Sequence, residues 1–210
     1  MTRHSFTAVS LHTVQKTMLQ YLLYVILACA ALSLSHPAQA QNASDPRLLR
    51  LLSLMQQRLS LAQDVAMYKW NAKAAIDDPV REQQILDALA KQAPQYGLAP
   101  KLAQDFFNAQ IVAGKMIQTA LFDGWASRSQ APFDNPPDLK TAIRPALDKL
   151  TVELLMALAE AQAVLQGKDG RQAVELTATD ASLRAGVPPN VPGYATAWQH
   201  AIKMLSNVAE

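Results

Sequence analysis

Three stretches of this sequence put charged and amide side chains where an anion could be held. Arg58 and Lys69 stand eleven residues apart, about three turns of a helix. Both therefore project from one face, beside the apolar Leu51, Leu54, Met55 and Val65. The run Asp78-Pro-Val-Arg81-Glu82 gathers a carboxylate, a guanidinium and a second carboxylate within one helical turn. It lies at a helix N-terminus, whose dipole also favours anions. Gln110, Gly114 and Gln118 follow at four-residue spacing and share a third face, where a buried glutamine needs a partner. The chemistry open to such a set is orientation and electrostatics. Forked guanidinium donors suit carboxylates, and an ammonium or an amide can stabilise charge that develops on an oxygen. No metal-ligand spacing, Gly-rich phosphate loop or nucleophile elbow occurs, so no metal and no cofactor is expected.

Taken singly, each of these residues has a plainer reading. Arg58 and Lys69 would be solvated charges on a helix surface, Arg81 and Glu82 first-turn charges that complement the dipole, and Gln110 and Gln118 surface amides. Lys115 reads as solvent-facing and stays outside the candidate site. Trp70, Trp125 and Phe107 read as core, and His200 as structural or exposed.

The elements that must position these residues are helices. Asp45 can cap a first helix, with Pro46 at its first position. Leu48, Leu51, Leu52, Met55, Leu59, Ala62, Val65 and Ala66 then recur at steps that are mostly three or four. This unusually long N-terminal helix is expected to run to about Ala75, where Asp77-Asp78-Pro79 ends it and caps the next. A second helix spans Val80 to about Ala93, broken by Pro94 and Gly97. A third runs from near Pro100 to about Ser127. Ala131 to Pro137 is a loop stiffened by proline. A fourth runs from about Asp138 to Gln166, and Gly167 to Gly170 is a turn. A weaker helix covers Arg171 to Arg184, Val187 to Gly193 is a loop, and Tyr194 to Val208 closes the chain. The fold class expected is an all-α bundle of about six helices.

Composition agrees with helices. Half the residues are apolar but only 6% are aromatic and Gly is scarce, which disfavours a sandwich or barrel. The formal net charge of +2 comes without a basic run or an acidic tail, so no nucleic-acid partner is expected. The N-terminal forty residues read as a secretory signal peptide. Arg3, His4 and Lys16 are cationic, residues 18–34 are apolar, and Ala38-Gln-Ala40 is a small-x-small cleavage signal. Met18 is an alternative start. A retained membrane anchor or a lipid on Cys29 is less consistent with this pattern, because the apolar run is short for a span and continues past Cys29. Cys29 is the only cysteine, so the mature chain would have no intrachain disulfide. The organisation expected is a cleaved signal at 1–40, a helical domain at 41–166 and a helical extension at 167–210 packed on it. The mature protein would be periplasmic or secreted, off the membrane.

The conjunction of these motifs resembles the helical chorismate mutases. Arg58-Leu59, Val65-Ala66-Met67-Tyr68-Lys69-Trp70 and Ile76-Asp77-Asp78-Pro-Val-Arg81-Glu82 carry the likeness. So do Gly97-Leu98, Phe106-Phe107 and the run from Gln110 to Gln118. The likeness covers roughly residues 45–165, and the signal peptide and extra C-terminal helices point to the secreted (gamma) subclass. It implies a Claisen rearrangement of the dianion chorismate to prephenate, a concerted step without nucleophile, proton transfer or cofactor, carried by orientation and preorganised charge. It also implies roles. Arg58 and Arg81 bind carboxylates, Lys69 and Gln118 donate to the ether oxygen, Glu82 accepts from the ring hydroxyl, and Asp78 positions that end.

Two positions depart from the family pattern. Gly114 stands where relatives often have a small polar side chain, so backbone or water would serve there. The family's further arginine from another helix has no fixed counterpart: Arg144 and Lys149 lie in the appropriate region, while Glu153 aligns best. The resemblance implies a homodimer in which each chain builds its own site. A lyase on the same scaffold that splits pyruvate from isochorismate, and a non-catalytic helical periplasmic binding protein, are the competing readings.

Overall fold

The computed structural model describes residues 44–186 and 190–208. The expected export signal, with Met18 and Cys29, lies outside these residues, as do 187–189 of the last loop. Among the described residues every regular element is helical.

Helix α1 (Pro46–Ala72) starts as its sequence dictates. The Asp45 carboxylate accepts from the Arg47 N–H at 2.9 Å, and Pro46 fills the first position, where no N–H is needed. The helix ends three residues short of the expected Ala75. Lys73 adopts a left-handed conformation (φ 51°), and the Lys73 and Ala74 N–H groups close on the Trp70 and Lys69 carbonyls. Helices α2 (Pro79–Gln92) and α3 (Pro100–Ser127) also begin on prolines, and a 3₁₀ turn at Ala93–Tyr96 connects them.

Helix α4 (Arg144–Leu165) differs at its start from the expected Asp138. Asp138 does cap, accepting from the Lys140 and Thr141 N–H groups at 2.9 and 2.8 Å. The segment Leu139–Ile143 that follows, however, is a π-helical turn. The helix expected over Arg171 to Arg184 is two: α5 (Gly170–Ala178) and α6 (Ala181–Ala185). Asp180 breaks them by taking an extended conformation (ψ 139°), capping Ser182 N–H and accepting from the Ser44 hydroxyl. Helix α7 (Tyr194–Lys203) stops before the expected Val208, and a 3₁₀ turn follows at Leu205–Asn207.

The core is the inner stripe of the three long helices. Leu48, Leu51, Leu52, Met55 and Leu59 of α1 are at most 1% exposed, as are Phe106, Phe107 and Ile117 of α3 and Leu154, Leu155 and Leu158 of α4. Helix α1 packs mainly on α4 and α3, and α3 also packs on α2 and α7. The approach of α7 to α3 depends on Gly193. Its φ is +75°, and a Cβ there would stand 2.9 Å from the Ala120 methyl.

The end of α1 is tied to the loop after α3 by aromatics. Trp70 meets Phe122 and Trp125 edge-on at 5.3 and 5.6 Å, and Trp125 meets Phe133 at 4.7 Å. Asn71 exchanges two 2.8 Å hydrogen bonds with the Phe133 backbone, and the Trp70 indole donates to Gln130 O. These contacts fix the end of α1 that carries Lys69.

Candidate active site

One cavity of about 330 Å³ opens between α1, α2, α3 and the first turns of α4. Arg58, Lys69, Asp78, Arg81, Glu82, Gly114 and Gln118, all singled out by spacing or resemblance, line it together. Further polar residues join them, among them Gln110, Lys115, Arg144 and Asp148. Apolar walls come from Leu61, Val65, Ile85, Ile111 and Leu147.

Arg58 sits at the buried end. Its guanidinium carbon lies 5.9 Å above the Phe107 ring. Burial pulls its pKa down to about 10, against the opposing pull of Asp148, so it is charged at neutral pH. Its Nη1 is shut off from solvent without a hydrogen-bond partner. Gln110, one turn beyond Phe107 on α3, is 2% exposed, and both ends of its amide lack a partner. Gln118, two turns further, is 7% exposed. Its Nε2 donates to the Gly114 carbonyl at 3.2 Å and its Oε1 is unpartnered. A side-chain amide has two N–H groups, so this anchor leaves one free. Gly114 contributes through its carbonyl, and a Cβ there would meet nothing within 4 Å.

The opposite end is a closed network. Lys69 Nζ donates to the Ile76 carbonyl at 2.6 Å and so holds the loop between α1 and α2. Asp78 and the first turn of α2 are locked reciprocally: Arg81 N–H donates to the Asp78 carboxylate, and Asp78 N–H donates to Glu82 Oε1, both at 3.2 Å. Glu82 Oε2 and Asp77 Oδ1 each accept from Lys115 Nζ at 2.9 Å. Burial lowers the pKa of Lys69, opposed by Asp78, Glu82 and Asp77 and aided by Lys115. Lys115 shifts the other way, raised by its hydrogen bonds to Glu82 and Asp77.

Lys115 is therefore not the solvent-facing residue that the sequence suggests. It forms part of the wall and ties α3 to α2. Its partners lie 38 and 33 residues upstream, beyond the reach of any helix-spacing rule. Arg144 and Lys149, the two cations named for the further clamp, lie in different surroundings. Arg144 lines the cavity, whereas Lys149 is 79% exposed and pairs loosely with Glu153 at 3.9 Å. Trp125 and Phe107 are core, Trp70 packs against it, and His200 is exposed.

The cavity walls carry five cations (Arg58, Lys69, Arg81, Lys115, Arg144) against three carboxylates (Asp78, Glu82, Asp148). Asp77, paired with Lys115, adds a fourth carboxylate at the rim, and the partly apolar pocket keeps a net positive charge, which suits a compact anion.

Comparison with known proteins points the same way. A family profile described as chorismate mutase type II matches residues 49–119. The secreted chorismate mutase of Mycolicibacterium smegmatis is 32% identical over 140 residues, covering 67% of this chain and 75% of the relative. That of Mycobacterium tuberculosis is 31% identical over 119 residues, 57% of this chain and 59% of the other. The crystal structure of a chorismate mutase from Burkholderia thailandensis aligns with a TM-score of 0.70 at 33% identity, covering 77% of this chain and 99% of that one.

Proposed function

The chain belongs to the chorismate mutases, and from that premise we propose how its cavity drives the reaction. It is an isomerase that rearranges chorismate to prephenate. The reaction breaks a C–O bond and forms a C–C bond in one concerted step. The protein's task is to hold the folded, chair-like conformer and to stabilise the charge that grows on the ether oxygen.

Arg58 and Arg81 take the two carboxylates, and Arg144 supplies a further cation from the start of α4. Lys69 and the free N–H of Gln118 donate to the ether oxygen. Lys69 carries a formal charge there. Gln118 needs no protonation to donate, and the Gly114 carbonyl holds its amide in place. Glu82 accepts from the ring hydroxyl, with Asp78 setting the helix end that presents it. The observation that carries this reading is that Arg58, Lys69, Arg81 and Gln118 line one cavity whose walls carry a net positive charge, as binding of an anionic substrate requires.

The protein is secreted, as its relatives are by name. Residues 1–40 are proposed as a signal removed after Ala40, residues 41–166 as the catalytic domain and 167–210 as an extension on it, with release to the periplasm and work as a homodimer. Purified protein should consume chorismate, followed by its absorbance, and yield prephenate. Pyruvate from isochorismate, with no prephenate from chorismate, would instead assign the lyase reaction. No turnover of either would leave a binding protein.

A further inference from the structure

We propose that Gln110 is a further substrate-binding residue, whose amide joins Arg58 in gripping one carboxylate of the dianion at the buried end of the cavity. This rests on the reading of the cavity as the chorismate site. The reason is a group that makes little sense as part of the core. Gln110 is 2% exposed, lines the cavity, and has neither its oxygen nor its nitrogen in a hydrogen bond. A buried amide without a partner weakens a fold, whereas an apolar side chain of the same size would not. Ala109 and Ala113, its neighbours on α3, are apolar and buried.

Arg58 presents the matching feature from α1. Its guanidinium lies over Phe107, one helical turn before Gln110, and its Nη1 is buried without a partner. Asp148 acts on Arg58 electrostatically but does not satisfy that N–H. A carboxylate placed between the two would accept from Arg58 Nη1 on one oxygen and from Gln110 Nε2 on the other. Gln110 Oε1 remains free to accept a second guanidinium N–H, which would hold the fork in register. The amide is neutral, so it adds a donor without changing the net positive charge that selects an anion.

The test separates a binding role from a packing role by the sign of two effects. In Gln110→Leu the melting temperature of the free protein should stay level or rise. The KM for chorismate should rise about ten- to a hundred-fold, as expected for losing one hydrogen bond to a charged group, with kcat little changed because the grip is equal in ground and transition states. In Gln110→Glu the new carboxylate would pair with Arg58, raising the melting temperature further and lifting KM above that of the leucine variant at pH 7. Unchanged KM in either variant overturns the proposal, and so does a leucine variant that melts several degrees lower with KM intact. Wild-type protein that neither turns over chorismate nor is thermally stabilised by it would overturn the functional reading as well. An active wild type beside a leucine variant of normal KM overturns only the role of Gln110.

Discussion

The two ends of the cavity are built on opposite principles. Around Lys69 the groups that shape the pocket are tied to protein partners: Lys69 with Ile76 O, Lys115 with Asp77 and Glu82, Arg81 N–H with Asp78. Around Arg58 buried polar atoms lack a partner: Arg58 Nη1 and both ends of Gln110. A ligand exchanges bonds at the first end and completes them at the second. The network holds its shape without ligand and so preorganises Lys69, which is proposed to meet the reacting oxygen. The buried end trades stability of the free protein for affinity. Substitutions should therefore separate by end, with loss of function accompanied by loss of stability only in the network.

The largest effects should come from the two cations of α1. Lys69→Ala removes the charge proposed to meet the ether oxygen, and the tie to Ile76. We expect kcat to fall about 10²–10³-fold, the scale of losing one preorganised transition-state donor, with a lower melting temperature. Arg58→Leu should lower kcat/KM by a similar factor without lowering the melting temperature, because a partly desolvated charge with an unpartnered N–H leaves the cavity wall and exposed Asp148 is solvated. Steady-state kinetics beside thermal melts check the pair. A Lys69→Ala enzyme with full kcat would sink the mechanism, and an Arg58→Leu protein that melts much lower would sink the contrast between the ends.

Lys115→Met should have a smaller effect. It cuts two ion pairs whose ammonium and Glu82 carboxylate are each about a quarter exposed, so each is worth little by itself. Glu82 would keep only the Asp78 N–H. We expect kcat to drop about three- to tenfold, with a melting temperature a few degrees lower, on the scale of about 1 kcal/mol. Lys115→Arg should recover most of both. Equal kcat in the methionine variant would show that Glu82 needs no such support.

The pH profile follows from the same comparison. From pH 6 to 8 Gln118 has no proton to lose and Arg58, at about 10, keeps its own, so activity should be flat. On the alkaline side, deprotonation removes positive charge. Lys69, lowered from the ordinary 10.5 by burial, and Arg58, at about 10 for the same reason, then both weaken binding of an anion. Activity should therefore decline before the ordinary lysine range is reached. A steep change in kcat between pH 6 and 8 would argue against a neutral amide at the ether oxygen.

How much of this was legible in the sequence depends on the range of each signal. The starts of α1, α2 and α3 were legible because proline at the first position is a local rule that Pro46, Pro79 and Pro100 all follow, with Asp45 and Asp78 capping the first two. The alignment of Arg58 with Lys69 was legible because it needs only helical pitch. The place of Lys115 was not, since its partners belong to another helix. Arg144 could not be told from Lys149 either. Five residues apart they point to different sides of a helix, and the π turn at Leu139–Ile143 shifts the phase from which α4 begins. The break between α5 and α6 has a local signal in Asp180, a preferred N-cap residue whose carboxylate accepts from Ser182 N–H.

The smallest expected effect lies between the two ends, at Gly114. Its carbonyl anchors Gln118, and a Cβ would meet nothing within 4 Å, so the backbone contact survives a substitution. Glycine inside a helix costs about 0.5–1 kcal/mol relative to alanine. Gly114→Ala should therefore raise the melting temperature by about 1–4 °C. The added methyl intrudes on the cavity by one carbon and touches neither the Arg58 end nor the Lys115 network, so kcat/KM should change less than about threefold, within the discrimination that one methylene supplies at most. A rise in stability with activity retained would mean that the groups at the two ends, rather than the width of the wall between them, set the rate. A fall in kcat of tenfold or more would mean instead that the open space beside Gly114 is itself needed for the folded conformer.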